Sequence, residues 1–174
     1  MTDLKELIRN VPDFPKKGII FRDITTLLRN GEAFKKAVAA MAAPFIKDQV
    51  KLVAAVEARG FILGGAVACK LGAGFVPLRK PGKLPAETVE KTYKLEYGVD
   101  AVAVHRDAIQ PGQKVLMLDD LLATGGTMAA ACQLVEDLGG EIVGCVFLIE
   151  LSFLKGRDKL GAYRLVSLID YDSE

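Results

Sequence analysis

The stretch VLMLDDLLATGGTMAAACQLVEDLGG, Val115 to Gly140, sets the fold class of this chain. Its first four residues, Val115 to Leu118, form a continuous apolar run, the pattern of a parallel strand buried on both faces. Asp119 and Asp120 follow, and the chain then turns through Ala123, Thr124, Gly125, Gly126 and Thr127. From about Thr127 to Leu138 the pattern predicts a helix, ended by Gly139 and Gly140. Ile142 to Ile149 is a further apolar strand.

Working outward, the same alternation recurs. Leu52 to Val56 reads as a buried strand, Ile62 to Leu71 as a helix ended by Gly72, and Phe75 to Leu78 as another strand. Phe34, Ala37, Val38, Met41 and Phe45 share one face of a helix predicted over Glu32 to Ile46. Leu165 to Ile169 would be the last strand. Strand–helix alternation implies right-handed crossovers, hence an α/β fold with a central parallel sheet flanked by helices. Ligands of such sheets sit at the carboxyl ends of the strands. Three segments stand apart. Leu4, Leu7 and Ile8 predict a short amino-terminal helix stopped by Pro12 and Pro15, followed by an extended run from Ile19 to Phe21. Arg79 to Pro85, RKPGKLP, predicts an exposed, mobile loop. The alternation around Tyr93, Leu95 and Tyr97, a turn at Gly98 to Asp100, and Ala101 to Val104 predict a hairpin.

The bulk composition bounds the partners. With 174 residues the chain suits one domain. Its 23 basic and 22 acidic residues leave a net charge of +1, without the broad basic footprint of a nucleic-acid binder. The longest apolar run, Ile142 to Ile149, is too short to span a membrane, and MTDLKELIRN does not read as a signal peptide. Cys69, Cys132 and Cys145 are scattered, and the single histidine, His105, has no neighbouring ligand, so no metal site is expected. Reduced thiols and a cytoplasmic location are the expectation.

The loop after Leu118 carries the chemistry. Adjacent glycines let several amides point inward, the next helix contributes its positive end, and Thr124 and Thr127 add hydroxyl donors. Such a cup suits a phosphate monoester, although the same residues would also make a plain helix cap. Asp119 and Asp120 would repel a phosphate, so they need donors of their own, and vicinal ribose hydroxyls are suitable ones. Phosphate followed by sugar diol describes a ribose 5-phosphate. Neither a Walker loop nor a G-x-G-x-x-G segment is present.

VLMLDDLLATGGT resembles the phosphoribosyl pyrophosphate signature of the type I phosphoribosyltransferases. FRDIT at Phe21, EARGF at Glu57, LRKPGKLP at Leu78 and LEYG at Leu95 resemble the adenine-specific branch of that family, in its order and over nearly the whole chain. The resemblance implies one domain over residues 1–174, with an amino-terminal hood at 1–30 and a mobile loop at 79–98. It implies transfer of a phosphoribosyl group from phosphoribosyl pyrophosphate to adenine, giving AMP and pyrophosphate. Magnesium would be held mainly through the substrate, and the enzyme would be a homodimer.

Carried onto this sequence, the resemblance gives Ala123, Thr124, Gly125, Gly126 and Thr127 to the 5-phosphate and Asp119 and Asp120 to the ribose. Ala58, Arg59, Gly60, Arg79 and Lys83 fall to the pyrophosphate, in a loop near residue 58 that relatives often hold by a non-proline cis peptide. Ile20, Phe21 and Arg22 fall to adenine. Glu96 becomes the acid/base candidate, Tyr97 a lid residue, and Arg59 a further catalytic candidate. From the residues alone, Arg79 and Lys83 read equally as solvated cations, Glu96 as a solvent-facing strand residue and Phe21 as a core aromatic. Relatives that use 6-oxopurines place an aspartate at the position of Ala123 and a lysine at that of Glu150. A 6-oxopurine enzyme and a phosphoribosyl pyrophosphate-sensing regulator are the alternatives; the latter would carry a basic face or extension.

Overall fold

A computed structural model describes residues 3–94 and 99–173. Five parallel strands form the central sheet: β3 (Leu52–Val56), β4 (Gly74–Leu78), β7 (Lys114–Leu122), β8 (Glu141–Leu151) and β9 (Leu165–Tyr171), in the order β4-β3-β7-β8-β9. Two smaller antiparallel pairs lie outside it. One joins β1 (Arg9–Val11) to β2 (Phe21–Asp23), and the other joins β5 (Thr88–Lys94) to β6 (Val99–His105).

The sheet strands are apolar along their length because both faces are covered. Their alternate residues enter two separate cores, as the two-residue period of a strand requires. Val53, Ala55, Leu116, Leu118, Val146 and Leu148 pack on the side of α1 (Thr25–Leu28), α2 (Gly31–Ala42) and α3 (Arg59–Leu71). Ala54, Val56, Val115, Met117, Cys145 and Phe147 pack on the other side, under α4 (Gly126–Asp137) and the β5–β6 hairpin. Helix α2 starts where the Asn30 side chain accepts from the Ala33 N–H at 3.1 Å, and it gives way to a 3₁₀ turn at Ala43–Phe45, which contains Pro44.

Several boundaries differ from the sequence expectation. The amino-terminal helix shrinks to one 3₁₀ turn, Lys5–Leu7, and the residues before Pro12 instead form β1, whose backbone is satisfied by β2. Helix α3 begins at Arg59 rather than Ile62. Strand β7 runs on to Leu122, because Asp119, Leu121 and Leu122 pair with Phe147, Ile149 and Glu150 of β8. The two aspartates therefore sit on a rigid strand end and not in a loop. Val99 and Asp100, expected in a turn, already belong to β6. Leu95, Glu96, Tyr97 and Gly98 lie outside the described residues.

From β3 the chain moves outward to β4 on one side, whereas β7, β8 and β9 proceed to the other. The strand order thus switches between β3 and β7. In an open α/β sheet that junction, at the carboxyl ends of the strands, is where a ligand crevice opens.

Candidate active site

A cavity of about 530 Å³ opens at this junction. Its floor is the ends of β3 and β7, from which Glu57, Ala58, Arg59, Asp119 and Asp120 project. Residues Arg79, Lys80, Tyr93 and Asp100 form its outer wall. The peptide between Glu57 and Ala58 is cis, one residue before α3 begins. Helix α3 starts at Arg59, which lines the cavity, so its amino-terminal end faces that space, an arrangement that favours anions.

Asp120 is buried and Asp119 half-buried at the cavity floor. Asp119 Oδ1 accepts the Asp120 N–H at 2.8 Å, which fixes the rotamer of the first carboxylate. Gly60 faces it, and a Cβ there would lie 2.8 Å from the same oxygen, so close approach of α3 to β7 excludes any side chain. Arg59 Nε lies 2.7 Å from Asp120 Oδ2, an ion pair without hydrogen-bond alignment; Oδ2 is buried and has no hydrogen-bond partner. Burial, and then the charge of Asp120, push the Asp119 carboxyl well above the usual carboxylate range. Burial also raises Asp120, against the opposing pull of Arg59. Two acceptors held this way are short of donors, and a pair of hydroxyls would supply them.

The loop expected to bind phosphate surrounds a smaller cavity of about 80 Å³, formed by residues 121–128 with Asp119 and Phe147. Gly125 has φ 76°, open to glycine and strained for other residues, and a Cβ there would fall on the Gly156 carbonyl oxygen. Helix α4 starts at the next residue, so its first amides face the cup. Thr127 Oγ1 is 3.1 Å from the Tyr93 phenol oxygen at the border between the cup and the main cavity.

The cations on the outer wall are all paired. Arg79 Nε donates to Glu57 Oε2 at 2.9 Å, and Arg79 Nη1 to the Lys83 carbonyl at 2.9 Å. Lys80 donates its amide to Glu57 Oε1 at 2.6 Å and its ammonium to Asp100 Oδ2 at 3.0 Å. Burial works to raise the Glu57 carboxyl, but the bonds from Lys80 and Arg79 prevail and hold it below its ordinary value. Lys83 is exposed, and the cavity wall carries Lys80 in its place. Lys80, Glu57, Asp100 and Tyr93 were missed in the sequence; the run Arg79–Lys80 beside a strand end was the only signal for the first of them.

The hood residues divide between two cavities. The Phe21 ring lies 4.7 Å from the Arg59 guanidinium and borders the main cavity. Ile20 and Arg22, with Ile19, face a separate space of about 260 Å³ whose far wall is Leu151, Phe153 and Leu154, with Thr124 at its edge. The Arg22 guanidinium is turned inward: it donates to Asn10 Oδ1 at 2.7 Å and stacks 3.9 Å from the Tyr171 ring centre. Its Nε is buried without a hydrogen-bond partner. Leu151, Phe153 and Leu154 are unmarked hydrophobic residues, and no sequence motif identified them. Glu150, where 6-oxopurine enzymes carry a lysine, has its carboxylate fully engaged by Arg157, at 2.9 and 2.6 Å, and by the Ser167 hydroxyl at 2.6 Å.

Comparison with known proteins agrees with this fold. Residues 25–173 match the family model of the phosphoribosyl transferase domain. An adenine phosphoribosyltransferase from Geobacter metallireducens is 57% identical over 171 residues, covering 98% of this chain and 100% of the relative. The crystal structure of adenine phosphoribosyltransferase from Thermoanaerobacter pseudethanolicus superposes with a TM-score of 0.94 at 52% identity, covering 97% of this chain and 98% of the other. The Saccharomyces cerevisiae enzyme, crystallised with adenine and an imino-altritol bisphosphate, gives a TM-score of 0.90 at 40% identity over 95% of this chain and 96% of that one.

Proposed function

This chain belongs to the adenine phosphoribosyltransferases, and we propose that its cavities divide the family's reaction among the residues described above. The reaction moves the phosphoribosyl group of phosphoribosyl pyrophosphate onto adenine, giving AMP and pyrophosphate in purine salvage. The observation that carries the division is the junction itself: a donor-rich cup, two donor-poor carboxylates and a cationic wall lie side by side, in the order of the substrate's phosphate, ribose and pyrophosphate. A coupled assay of adenine-dependent pyrophosphate release tests the reaction directly.

The amides and hydroxyls of residues 123–127 bind the 5-phosphate, and Asp119 and Asp120 accept from the ribose hydroxyls. The pyrophosphate lies toward Ala58, Arg59 and Gly60 at the start of α3, and toward Arg79 and Lys80. Adenine enters the 260 Å³ space beneath Ile20 and Arg22, whose backbone groups read its edge, with Phe21 and Arg59 at the border facing the ribose. As the bond from the anomeric carbon to pyrophosphate lengthens, charge grows on the leaving oxygens and on the ribose ring. The cations and the amide end of α3 stabilise the former, and the carboxylates at the cavity floor the latter. Adenine N9 forms the new bond, pyrophosphate departs with the electron pair, and Glu96 is the candidate to take the N9 proton, with Tyr97 closing the site. Glu96→Gln is expected to lower kcat by about tenfold or more, with little change in phosphoribosyl pyrophosphate affinity. An unchanged pH–rate profile in that variant would reduce Glu96 to part of the lid.

Glu57 and Asp100 are ion-paired with Arg79 and Lys80. Pyrophosphate must exchange for these carboxylates, and closure of the 79–98 segment over the site follows that exchange. Arg79→Ala should therefore weaken phosphoribosyl pyrophosphate binding at least tenfold and AMP binding by less than threefold, since AMP lacks the pyrophosphate charge. Equal weakening of both ligands, measured by calorimetry, would count against this site.

Magnesium suits the site through its substrate. Asp120 Oδ2, ion-paired with Arg59 but without a hydrogen bond, offers a hard oxygen ligand, but among the described residues no three metal-binding side chains gather, so the remaining ligands would come from ribose and pyrophosphate oxygens. The ion, when bound, would neutralise part of the pyrophosphate charge. A homodimer is supported by the outer edge of the sheet, where Phe75 of β4 and Ile62 of α3 remain exposed. A reducing, cytoplasmic setting is supported by Cys132 and Cys145, buried 3.7 Å apart as free thiols.

A further inference from the structure

We propose that Glu150 and Arg157 form a positioning clamp for the phosphate loop, acting through Gly156. The inference rests on the assignment of residues 123–127 to the 5-phosphate.

Three observations carry it. First, the loop and the segment after β8 meet backbone to backbone. A Cβ at Gly125 would fall on the Gly156 carbonyl, and a Cβ at Gly156 would fall on the Ala123 carbonyl. Two facing positions that both exclude a side chain let one backbone act as a mould for the other. Gly156 is buried there, against Ala123 and Gly125 of the phosphate loop, just before α4 begins.

Second, the residue next to Gly156 is fixed by the strongest side-chain geometry in this part of the molecule. Arg157 Nε and Nη2 donate to the two oxygens of Glu150, at 2.9 and 2.6 Å. Glu150 is only 5% exposed, and the Ser167 hydroxyl holds it from the other side at 2.6 Å. A two-pronged bond to a buried, hydrogen-bonded carboxylate sets orientation as well as distance. These bonds hold the Glu150 carboxyl below its ordinary value. Because Glu150 stands on β8, paired with Leu122 of β7 and Asp170 of β9, the sheet itself sets the position of Gly156.

Third, the same segment is tied to α4 further along. Leu160 is buried in the core beneath α4, and the Tyr163 hydroxyl donates to Glu136 Oε1 of α4 at 2.9 Å. The cup's two sides, loop and helix, are thus referred to one rigid segment. Amides that must point at a phosphate before it arrives need such support, since misplacement of a binding group by about 1 Å costs on the order of 10²-fold.

The clamp predicts a ligand-selective defect. In Arg157→Lys the charge remains but the fork is lost, and in Arg157→Met both go. Calorimetry should show ribose 5-phosphate affinity falling about threefold or more in the first variant and tenfold or more in the second. Inorganic pyrophosphate, which engages the opposite wall, should bind within twofold of wild type. In turnover, KM for phosphoribosyl pyrophosphate should rise in the same order, with kcat at saturation falling by less. Gly156→Ala, which presses directly on the Ala123 carbonyl, should reproduce the pattern. Should Arg157→Met not fold, Arg157→Lys and Gly156→Ala carry the test. Equal losses for both ligands, or wild-type ribose 5-phosphate affinity in a folded Arg157→Lys, would overturn the clamp. A wild-type protein that binds pyrophosphate but ignores ribose 5-phosphate would overturn the phosphate assignment beneath it.

Discussion

Replacing Asp119 and Asp120 together by asparagine is expected to lower kcat/KM by about two orders of magnitude or more and, at neutral pH, to raise the melting temperature. The loss of activity follows from what the ribose needs. Its hydroxyls donate, the carboxylates accept, and a hydrogen bond to a charged group contributes about 1.5–3 kcal/mol. Asparagine keeps the shape but offers one acceptor for two and adds N–H donors that face the hydroxyls. The gain in stability follows from burial. Both carboxyls are raised in the folded protein, Asp119 by burial and by the charge of Asp120, Asp120 by burial despite Arg59. A carboxyl whose folded pKa exceeds its unfolded one binds more protons when folded. Its favourable contribution is full below the unfolded pKa and disappears as pH rises through the folded pKa. At neutral pH the pair is therefore a cost that asparagine removes. Arg59 loses its partner in the variant, yet its side chain is 34% exposed and stacks on Phe21, so water and the ring retain it. Melting curves at pH 5 and pH 8 give the check: the advantage of the double variant over wild type should widen with pH. Near wild-type turnover would remove the diol-binding role, and a pH-independent gap would remove the burial argument.

The aspartates also show which parts of this molecule a sequence can express. DDLLATGGT was legible because its chemistry restricts residue type at each place, from acceptors to glycines to hydroxyls. Strands β3 and β7 were legible in their buried portions because a strand covered on both faces must be apolar throughout. The continuation of β7 through Asp119 to Leu122 was not, since only its pairing with Phe147, Ile149 and Glu150 makes those residues strand. For the same reason β1 was read as helix: Leu4, Leu7 and Ile8 have helical spacing, but the partner that turns Arg9–Val11 into a strand is Phe21–Asp23. The walls of the 260 Å³ cavity and the Gly156 contact stayed hidden for a related cause. Leu151, Phe153 and Leu154 carry no chemistry of their own, and Gly156 matters only because Ala123 and Gly125 lie against it. Long-range contact, more than residue type, defines both.

Hypoxanthine and guanine are expected to be used about 10⁴-fold less efficiently than adenine. The argument begins with what the 260 Å³ cavity lacks. Among the described residues bounding it Arg22 alone is charged; its Nη1 donates to Asn10 and its guanidinium lies over the Tyr171 ring, leaving Nε without a hydrogen-bond partner. A 6-oxopurine needs a donor at its ring oxygen. The position that supplies a lysine in the enzymes for such bases holds Glu150 here, and that carboxylate is turned to Arg157 and Ser167. The aspartate those enzymes place near the purine is replaced by Ala123, whose carbonyl packs on Gly156. Adenine presents an amino group instead, which backbone carbonyls between Ile20 and Arg22 can accept. Placing an oxygen there sets acceptor against acceptor in a largely apolar space, and the backbone carbonyl loses its partner. Sites built around a hydrogen bond to the correct substrate reject an analogue unable to make it by about 10⁴–10⁵-fold. The measurement is kcat/KM for each base at saturating phosphoribosyl pyrophosphate, with pyrophosphate release as the common readout. Use of hypoxanthine within tenfold of adenine would remove the base assignment and leave phosphoribosyl transfer standing, because cup, carboxylates and cationic wall do not touch the base's 6-position.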